Sequence, residues 1–307
     1  MMKKITDYTD FELREAVDIL LRNGHVLFHD QYLTQDELVE FCRRIGDTND
    51  SNPSMGHMEF NPKDNPDISL ITTQPVGKSP HGMFGPTDLV YHGDGGMCHV
   101  GEFKELLTGL YCVGSCPDTV LSLLNTNKAF SYFTKEEKEY WRNVETQLNG
   151  QEKGIYGTYE EMKRDGSMKA IDGVQEAYKT PIYHYDDERQ NVVNVHPYTG
   201  QEFMLWQPAF IGKAWYKGEP IDVDEIQKKF RKALVQGKNI TDFVLREGDF
   251  LICDQYYTLH RRSWVNSAER MIWRTAFDYS TLLGPDSVYD SSIEEQKYIS
   301  RKRKNKS

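Results

Sequence analysis

The chain has 307 residues and a formal net charge of −10. This acidic balance argues against a nucleic-acid groove, which needs a clustered positive face. No run of about 18 apolar residues is present, so the sequence predicts no membrane span. The N-terminal segment lacks the apolar core of a secretory signal, and the five cysteines do not form an even framework. We therefore expect a cytoplasmic protein.

The N-terminal segment, residues 9–45, contains two helix-start signals. Thr9 and Thr34 are each followed three residues later by a glutamate, which is the pattern of a capping box. Apolar residues at helical spacing follow both threonines, and Gly24 ends the first helix. The apolar run at 25–29 is predicted to be a strand. We expect these two helices to pack on the core of the protein.

The next part of the chain is rich in loops. Residues 46–67 and 75–87 contain many Asn, Asp, Pro and Gly residues, and a short predicted strand at 68–72 separates them. Loops of this length inside a compact chain usually have a functional role. From residue 89 onward, the runs LVYH, GLYCVG, TVLSLL, DFLICD and MIWRTAF predict the strands of a barrel or a sandwich.

Helical and charged segments interrupt these strands. Residues 124–145 are predicted to be helical, and the charged stretch that follows indicates an insertion, which we place at about 130–190. Asp222 begins another predicted helix, which Gly237 ends. The basic tail at 297–307 is expected to be a disordered terminus. With no credible linker, we predict a single domain over residues 1–307.

Two His-x-Asp triplets are candidates for a metal site. His92 and Asp94 follow an apolar strand and precede a Gly-Gly pair, where small residues let a ligand approach the backbone. His184 and Asp186 lie in a charged segment that is typical of a solvated turn. The pattern favours His92 over His184 and leaves both open.

His260 is the candidate for a further metal ligand. It ends a short predicted strand, and Arg270 and Arg274 follow it at distances of ten and fourteen residues. A core histidine at a strand end is the alternative interpretation. Together with one His-x-Asp triplet, His260 completes two imidazoles and one carboxylate, the ligand set of non-haem Fe(II) sites with open positions.

Several motifs in order resemble a known family. LVYHGDGGM is similar to its His-x-Asp segment, and Thr119 lies 25 residues after Asp94, where the family has a co-substrate threonine. Residues 191–206 are similar to its HP-x-TG strand pair, and GDFLICDQYYTLHR to the strand with the distal histidine. Arg270 and Arg274 match its paired arginines. The family is that of the Fe(II)/2-oxoglutarate-dependent dioxygenases of the taurine dioxygenase type.

The resemblance implies a fold and a set of cofactors. The fold is α+β and mainly β, a double-stranded β-helix (jelly-roll, cupin-like) core with flanking helices and a large insertion. Fe(II) is the metal, and 2-oxoglutarate and O2 are co-substrates. His184 drops out, because its triplet falls in the insertion. The implied metal ligands are His92, Asp94 and His260, and the implied 2-oxoglutarate contacts are Thr119 and Arg270.

The resemblance also implies a small-molecule substrate and a homo-oligomer (dimer or tetramer). The acidic composition and the lack of an apolar span lead us to expect no nucleic acid or membrane partner. Arg274, Asp88 and Tyr91 are the expected substrate contacts, with a second co-substrate contact or a structural ion pair as equal alternatives for Arg274. Asp88 stands where the taurine enzyme has an amide, and Gln255 where the family often has asparagine. We therefore expect an amino-acid-like, sulfonate or carboxylate substrate, hydroxylated at an aliphatic C–H with release of succinate and CO2.

Two other functions are compatible with the same residues. The first is a metal-dependent cupin-like enzyme that does not use 2-oxoglutarate. The second is a catalytically inactive binding protein on the same fold.

Overall fold

A computed structural model describes residues 3–48, 62, 65–76, 81–82, 86, 88–94, 106–115, 117–148, 189–207, 211–265 and 269–284. Most of the predicted insertion, the triplet at His184 and the basic tail at 297–307 lie outside the described residues. Within them, no helix is long and apolar enough to cross a membrane.

The described residues form short strands and a few helices. In chain order the strands are β1 (His25–Phe28), β2 (Ser69–Thr72), β3 (Leu89–His92), β4 (Leu107–Gly114), β5 (Leu121–Asn125), β6 (Val144–Leu148), β7 (Gln190–Asn191), β8 (Val193–Val195), β9 (Glu202–Met204), β10 (Ile211–Tyr216), β11 (Glu219–Ile221), β12 (Ile240–Phe243), β13 (Phe250–Asp254), β14 (Thr258–Arg262) and β15 (Met271–Phe277). The helices are α1 (Asp10–Asn23), α2 (Gln35–Ile45), α3 (Thr126–Ser131), α4 (Lys135–Arg142), α5 (Val223–Leu234) and α6 (Ser280–Leu283). Short 3-10 turns cover Ile5–Asp7 and Gly237–Asn239.

Two antiparallel sheets form the core. The larger has the strand order β1-β13-β4-β15-β2, and the smaller has the order β12-β5-β14-β3. The chain alternates between them, because β3, β5 and β14 belong to the smaller sheet while β4, β13 and β15 belong to the larger one. This alternation defines the double-stranded β-helix, so the predicted jelly-roll core with flanking helices is confirmed.

The N-terminal helices pack as the sequence predicts. Both capping boxes form, at Thr9 and at Thr34. The apolar faces of α1 and α2 join a buried aromatic cluster on the larger sheet, where the rings of Phe41 and Phe250 are 6.1 Å apart. Burying each large apolar side chain contributes about 1.5–3 kcal/mol, so this cluster anchors the N-terminal segment to the core. Gly24 ends α1 with φ of +75°, a conformation that favours glycine.

The prediction for residues 124–145 was partly wrong. Helices α3 and α4 lie there, but Val144 already starts β6, which pairs with β10. The strands β10, β11 and β12 were not predicted. β6 and β10 belong to a further sheet of order β11-β10-β6-β7, and β8 pairs with β9. These strands are short, and their pairing with distant segments decides their conformation more than local sequence does.

Candidate metal centre

Two histidines from neighbouring strands face each other across the smaller sheet. His92, at the end of β3, is directly opposite His260 in β14. Their ring centroids are 4.2 Å apart, and both side chains are buried. Residues directly opposite in an antiparallel pair point to the same face of the sheet. The two imidazoles therefore enter the space between the two sheets together.

The Asp94 carboxylate approaches both imidazoles. Its Oδ1 atom is 3.8 Å from His92 Nε2 and 3.7 Å from His260 Nε2. Both distances exceed those of a hydrogen bond. One ligand atom from each of the three residues lies within 4.8 Å of the other two. The structure thus brings together the three side chains that the sequence singled out, although His260 comes 166 positions after Asp94 in the chain.

The other oxygen of Asp94 is held by two donors. Arg274 Nε donates to Asp94 Oδ2 at 2.9 Å, and Thr108 Oγ1 donates to the same oxygen at 3.0 Å. The carboxylate is therefore oriented with Oδ1 toward the imidazoles and Oδ2 toward Arg274. Such support around a ligand fixes its orientation before a metal binds.

Two buried glutamines hold the backbone of the His-Gly-Asp turn. The amide N–H of Asp94 donates to Gln255 Oε1 at 2.8 Å, and that of Gly93 donates to Gln207 Oε1 at 3.2 Å. A Cβ atom on Gly93 would lie 2.9 Å from Gln207 Nε2, closer than normal packing allows. The turn is thus fixed from both sides, and a glycine at position 93 fits its close approach to Gln207.

The protonation states of these groups suit a cation. Burial lowers the pKa of His92, and burial together with the nearby His92 lowers the pKa of His260 to about 3. Burial alone would raise the pKa of Asp94, but Arg274 and the two imidazoles outweigh it and hold that pKa below its usual range. At neutral pH the site therefore offers two neutral imidazoles and one ionised carboxylate.

The tautomer of His92 is also set. Its Nδ1 atom lies 2.7 Å from the carbonyl oxygen of Val90 and donates to it. The Nε2 lone pair therefore points toward Asp94 and His260. A second nitrogen that donates to a carbonyl is the usual support of a metal-ligating histidine. This donor set fits a divalent iron ion.

The cluster opens into a cavity between the two sheets. Thr119 and Arg270, the predicted 2-oxoglutarate contacts, both line it and are buried. Arg274 is buried and contacts Asp94. Asp88 is exposed at the start of β3, and Tyr91 is buried with the guanidinium of Arg261 5.1 Å from its ring centroid. In the described part of the chain, none of the three predicted substrate contacts, Arg274, Asp88 and Tyr91, lines the cavity.

Sequence reasoning missed one charged residue of the cavity. Arg262 is only 3% exposed and lines the cavity beside His260. Strand alternation contained the signal, because a residue two positions after His260 points to the same face of β14. Thr108, Gln207 and Gln255 were also missed, and their contacts with the turn come from segments distant in sequence.

The fold and the site define a class. A double-stranded β-helix with two imidazoles and one carboxylate between its sheets is the framework of a non-haem Fe(II) oxygenase. The family model described as "Taurine catabolism dioxygenase TauD, TfdA family" matches residues 3–276. The chain belongs to this family, whose members are Fe(II)- and 2-oxoglutarate-dependent dioxygenases. A comparison with curated protein sequences gives no significant match.

Solved structures share the fold. A taurine dioxygenase from Burkholderia xenovorans aligns with a TM-score of 0.60 and 15% identity, over 90% of this chain and 84% of the other. AAD-2 in complex with Mn(II) and N-oxalylglycine aligns with a TM-score of 0.67 and 15% identity, over 90% and 92%. A putative alpha-ketoglutarate-dependent taurine dioxygenase from Burkholderia xenovorans gives 0.58 and 13%, over 90% and 87%. At these identities the likeness is one of fold.

Proposed function

We propose that the protein hydroxylates an aliphatic C–H bond of a small polar substrate, using Fe(II), 2-oxoglutarate and O2 and releasing succinate and CO2. One observation carries the proposal. The cluster of His92, Asp94 and His260 lies at one end of a cavity, and Arg270 and Thr119 line the same cavity. A cavity of this kind suits a dicarboxylate that binds a metal at one end and a guanidinium at the other.

His92, Asp94 and His260 are the proposed Fe(II) ligands. Two neutral imidazoles and a carboxylate bind three positions of the ion and leave the others for small ligands. When bound, Fe(II) supplies the oxidising chemistry: one atom of O2 enters the succinate formed as 2-oxoglutarate loses CO2, and the other enters the substrate C–H bond. Arg274 and Thr108 keep Asp94 in its orientation during this reaction.

Arg270 and Thr119 are the proposed contacts of the distal carboxylate of 2-oxoglutarate. A guanidinium is planar and permanently charged, so it can bind a carboxylate through two parallel hydrogen bonds. The backbone of Arg270 is fixed because its carbonyl accepts a hydrogen bond from Thr72 Oγ1 at 2.7 Å. Thr119 would add a hydroxyl donor, which makes the pair selective for an anion.

Arg274, Asp88 and Tyr91 are the proposed substrate contacts. Arg274 donates to Asp94 through Nε, so a carboxylate or sulfonate of the substrate would use its terminal nitrogens. Asp88 would attract an ammonium group, and Tyr91 would supply an aromatic surface. Together these residues favour an amino-acid-like substrate, although all three lie outside the cavity lining among the described residues.

A succinate-release screen tests this proposal. The protein is incubated with Fe(II), 2-oxoglutarate and O2 together with amino acids, sulfonates or small carboxylates, one at a time. We expect Fe(II)-dependent succinate release, stimulated by at least one of these compounds. His260→Ala should abolish it, whereas His25→Ala, a histidine in β1 outside the site, should retain it. Full turnover by His260→Ala would refute the ligand assignment.

An anaerobic titration separates this function from the two alternatives. Addition of 2-oxoglutarate to the Fe(II)-loaded protein should produce a weak visible charge-transfer band. A cupin-like enzyme that does not use 2-oxoglutarate would give no band. A catalytically inactive binding protein would give no succinate with any compound of the screen.

A further inference from the structure

The strand register divides the cavity lining into three levels. The metal level contains His92 and His260, which pair with each other, together with Asp94 and Leu110. Leu110 belongs to this level because it pairs with Arg274, which contacts Asp94. The other two levels follow along the same strands, in one direction away from the metal level.

The middle level lies two residues further along β4, β5, β14 and β15, and three residues further along β3, where the register shifts. Arg262 pairs with Leu121 in β5 and with Leu89 in β3, while Ile272 pairs with Cys112 in β4 and with Ile71 in β2. All six residues line the cavity. Five of them are apolar, and Arg262 is the charged member of the middle level.

The far level is the next one along the strands. It contains Gly114, Thr119 and Arg270. Gly114 pairs with Met271, which follows Arg270, and Thr119 lies two residues before Leu121. Two residues span roughly 6.7 Å along a strand, so the far level is roughly 13 Å from the metal level. Arg270 extends from the larger sheet, and Arg262 extends from the smaller sheet that faces it.

This arrangement suits the length of the co-substrate. A five-carbon diacid that binds a metal through C1 and C2 has its distal carboxylate only three carbon–carbon bonds beyond C2. That carboxylate therefore lies between the middle and far levels, within reach of side chains from both. The apolar side chains of the middle level surround the methylene groups, and their low polarity strengthens the attraction of a nearby guanidinium for an anion.

We infer that Arg262 supplies a second guanidinium that binds the distal carboxylate of 2-oxoglutarate. It binds from the smaller sheet, opposite to Arg270. The inference rests on the proposed function and adds a binding residue to it. Two guanidiniums from opposite walls bind a distal carboxylate and disfavour a 2-oxo acid without one. Arg262 therefore determines the specificity for a dicarboxylate co-substrate.

An anaerobic titration with two 2-oxo acids tests this role. The Fe(II)-loaded protein is titrated with 2-oxoglutarate and, separately, with 2-oxopentanoate, which has a methyl group in place of the distal carboxylate. The dissociation constants follow from the charge-transfer band. In Arg262→Met, the constant for 2-oxoglutarate should rise on the order of 10- to 100-fold, as expected for a lost charged hydrogen bond, and that for 2-oxopentanoate should stay within about twofold.

A matched control lies one residue away. Arg261 is exposed on the opposite face of the same strand, so Arg261→Met removes the same charge without changing the cavity. It should bind both 2-oxo acids as the unaltered protein does. Arg262→Lys keeps the charge but loses the planar fork, so its affinity for 2-oxoglutarate should be intermediate.

The outcomes separate the inference from the function on which it rests. If the unaltered protein does not bind 2-oxoglutarate, the proposed function fails. If it binds, and Arg262→Met shows unchanged affinity for 2-oxoglutarate, the inference is overturned while the function stands. An equal loss of affinity for both 2-oxo acids would assign Arg262 a structural role and overturn the inference. If thermal unfolding shows that Arg262→Met is unstable, the same titrations are made with Arg262→Lys.

Discussion

Arg274 Nε lies 2.9 Å from Asp94 Oδ2, while Asp94 Oδ1 lies 3.7–3.8 Å from the two imidazole nitrogens. Arg274 therefore contacts the proposed metal ligand itself. The sequence left this arginine open between a substrate contact, a second co-substrate contact and a structural ion pair. In the structure, Arg274 contacts Asp94 and orients its carboxylate. A role in orienting Asp94 and a role in binding the substrate make different predictions.

Arg274→Met should weaken Fe(II) binding. Without the guanidinium, Asp94 loses a charged hydrogen bond and its orientation, and removal of such a supporting partner costs about 10- to 100-fold in metal affinity. Anaerobic calorimetric titration with Fe(II) measures this change. Arg274→Lys should recover part of the affinity. Unchanged Fe(II) affinity, combined with a raised KM for the oxidised substrate, would assign Arg274 to the substrate alone.

Gln255 supports the same carboxylate through the backbone. Its Oε1 atom accepts the Asp94 N–H at 2.8 Å, and its side chain is buried. Gln255→Leu leaves that N–H without its acceptor, which costs about 1–3 kcal/mol. We expect about tenfold weaker Fe(II) binding. Gln207→Leu should have a smaller effect, because Gln207 contacts Gly93 at a longer distance of 3.2 Å. Equal affinities in the unaltered protein and in Gln255→Leu would contradict the positioning role.

Arg270 should control the requirement for 2-oxoglutarate. Arg270→Leu removes the proposed partner of the distal carboxylate, and a charged hydrogen bond contributes about 1.5–3 kcal/mol. The KM for 2-oxoglutarate should therefore rise by about 10- to 150-fold, with Fe(II) affinity unchanged. Steady-state succinate release at varied 2-oxoglutarate concentration gives this KM. An unaltered requirement would reject the role of Arg270.

The core and the meeting of His92, Asp94 and His260 were predictable from sequence for a physical reason. Alternating apolar residues, capping boxes and a triplet such as His92-Gly93-Asp94 are local patterns. Local patterns predict the structure of an element when one of its faces is buried. The pairing of His92 with His260 is not local, and the order of several motifs along the chain, rather than any one of them, pointed to it.

The supporting contacts were not predictable in the same way. Thr108 and Gln255 reach Asp94 from β4 and from the turn after β13, and their chemistry is ordinary for buried polar residues. Arg262 was predictable in principle from strand alternation, but a pair of adjacent arginines resembles a solvated loop. The strands β10 to β12 were missed because pairing with distant partners, rather than composition, determines them.

The imidazole at position 260 should make the stability of the metal-free protein depend on pH. Burial and His92 lower its pKa from 6.5 to about 3 in the folded chain. Between these values the unfolded chain binds a proton that the folded chain does not, so acidification favours unfolding. This stability contribution is complete above about pH 6.5 and is lost progressively as pH falls toward about 3, at most by about 1.4 kcal/mol per pH unit.

Urea unfolding of the metal-free protein at pH 6.5, 5.5 and 4.5 measures this dependence. His260→Gln lacks the titrating group, so its free energy of unfolding should fall less steeply with acidification than that of the unaltered protein. Parallel slopes for the two proteins would show that His260 has an ordinary pKa in the folded state.

Among the buried polar residues behind the site, removal of Asp254 should lower the free energy of unfolding the most. Its Oδ2 atom accepts hydrogen bonds from His196 Nε2 at 2.9 Å and from Tyr279 Oη at 2.5 Å, and its Oδ1 atom accepts the backbone N–H groups of Tyr256 and Tyr257. The network is fully buried and fixes the turn that carries the neighbouring glutamine.

Asp254→Ala leaves four buried donors without their acceptor, so we expect a loss of about 3–5 kcal/mol in the free energy of unfolding. Tyr279→Phe removes one donor and leaves the carboxylate with three, so its cost should be about 1–3 kcal/mol. Urea unfolding of the two variants measures both values. Because the network also holds the turn that contains Gln255, Asp254→Ala should weaken Fe(II) binding as well, whereas Tyr279→Phe should not. A loss below about 1 kcal/mol in Asp254→Ala would mean that water replaces the carboxylate without cost.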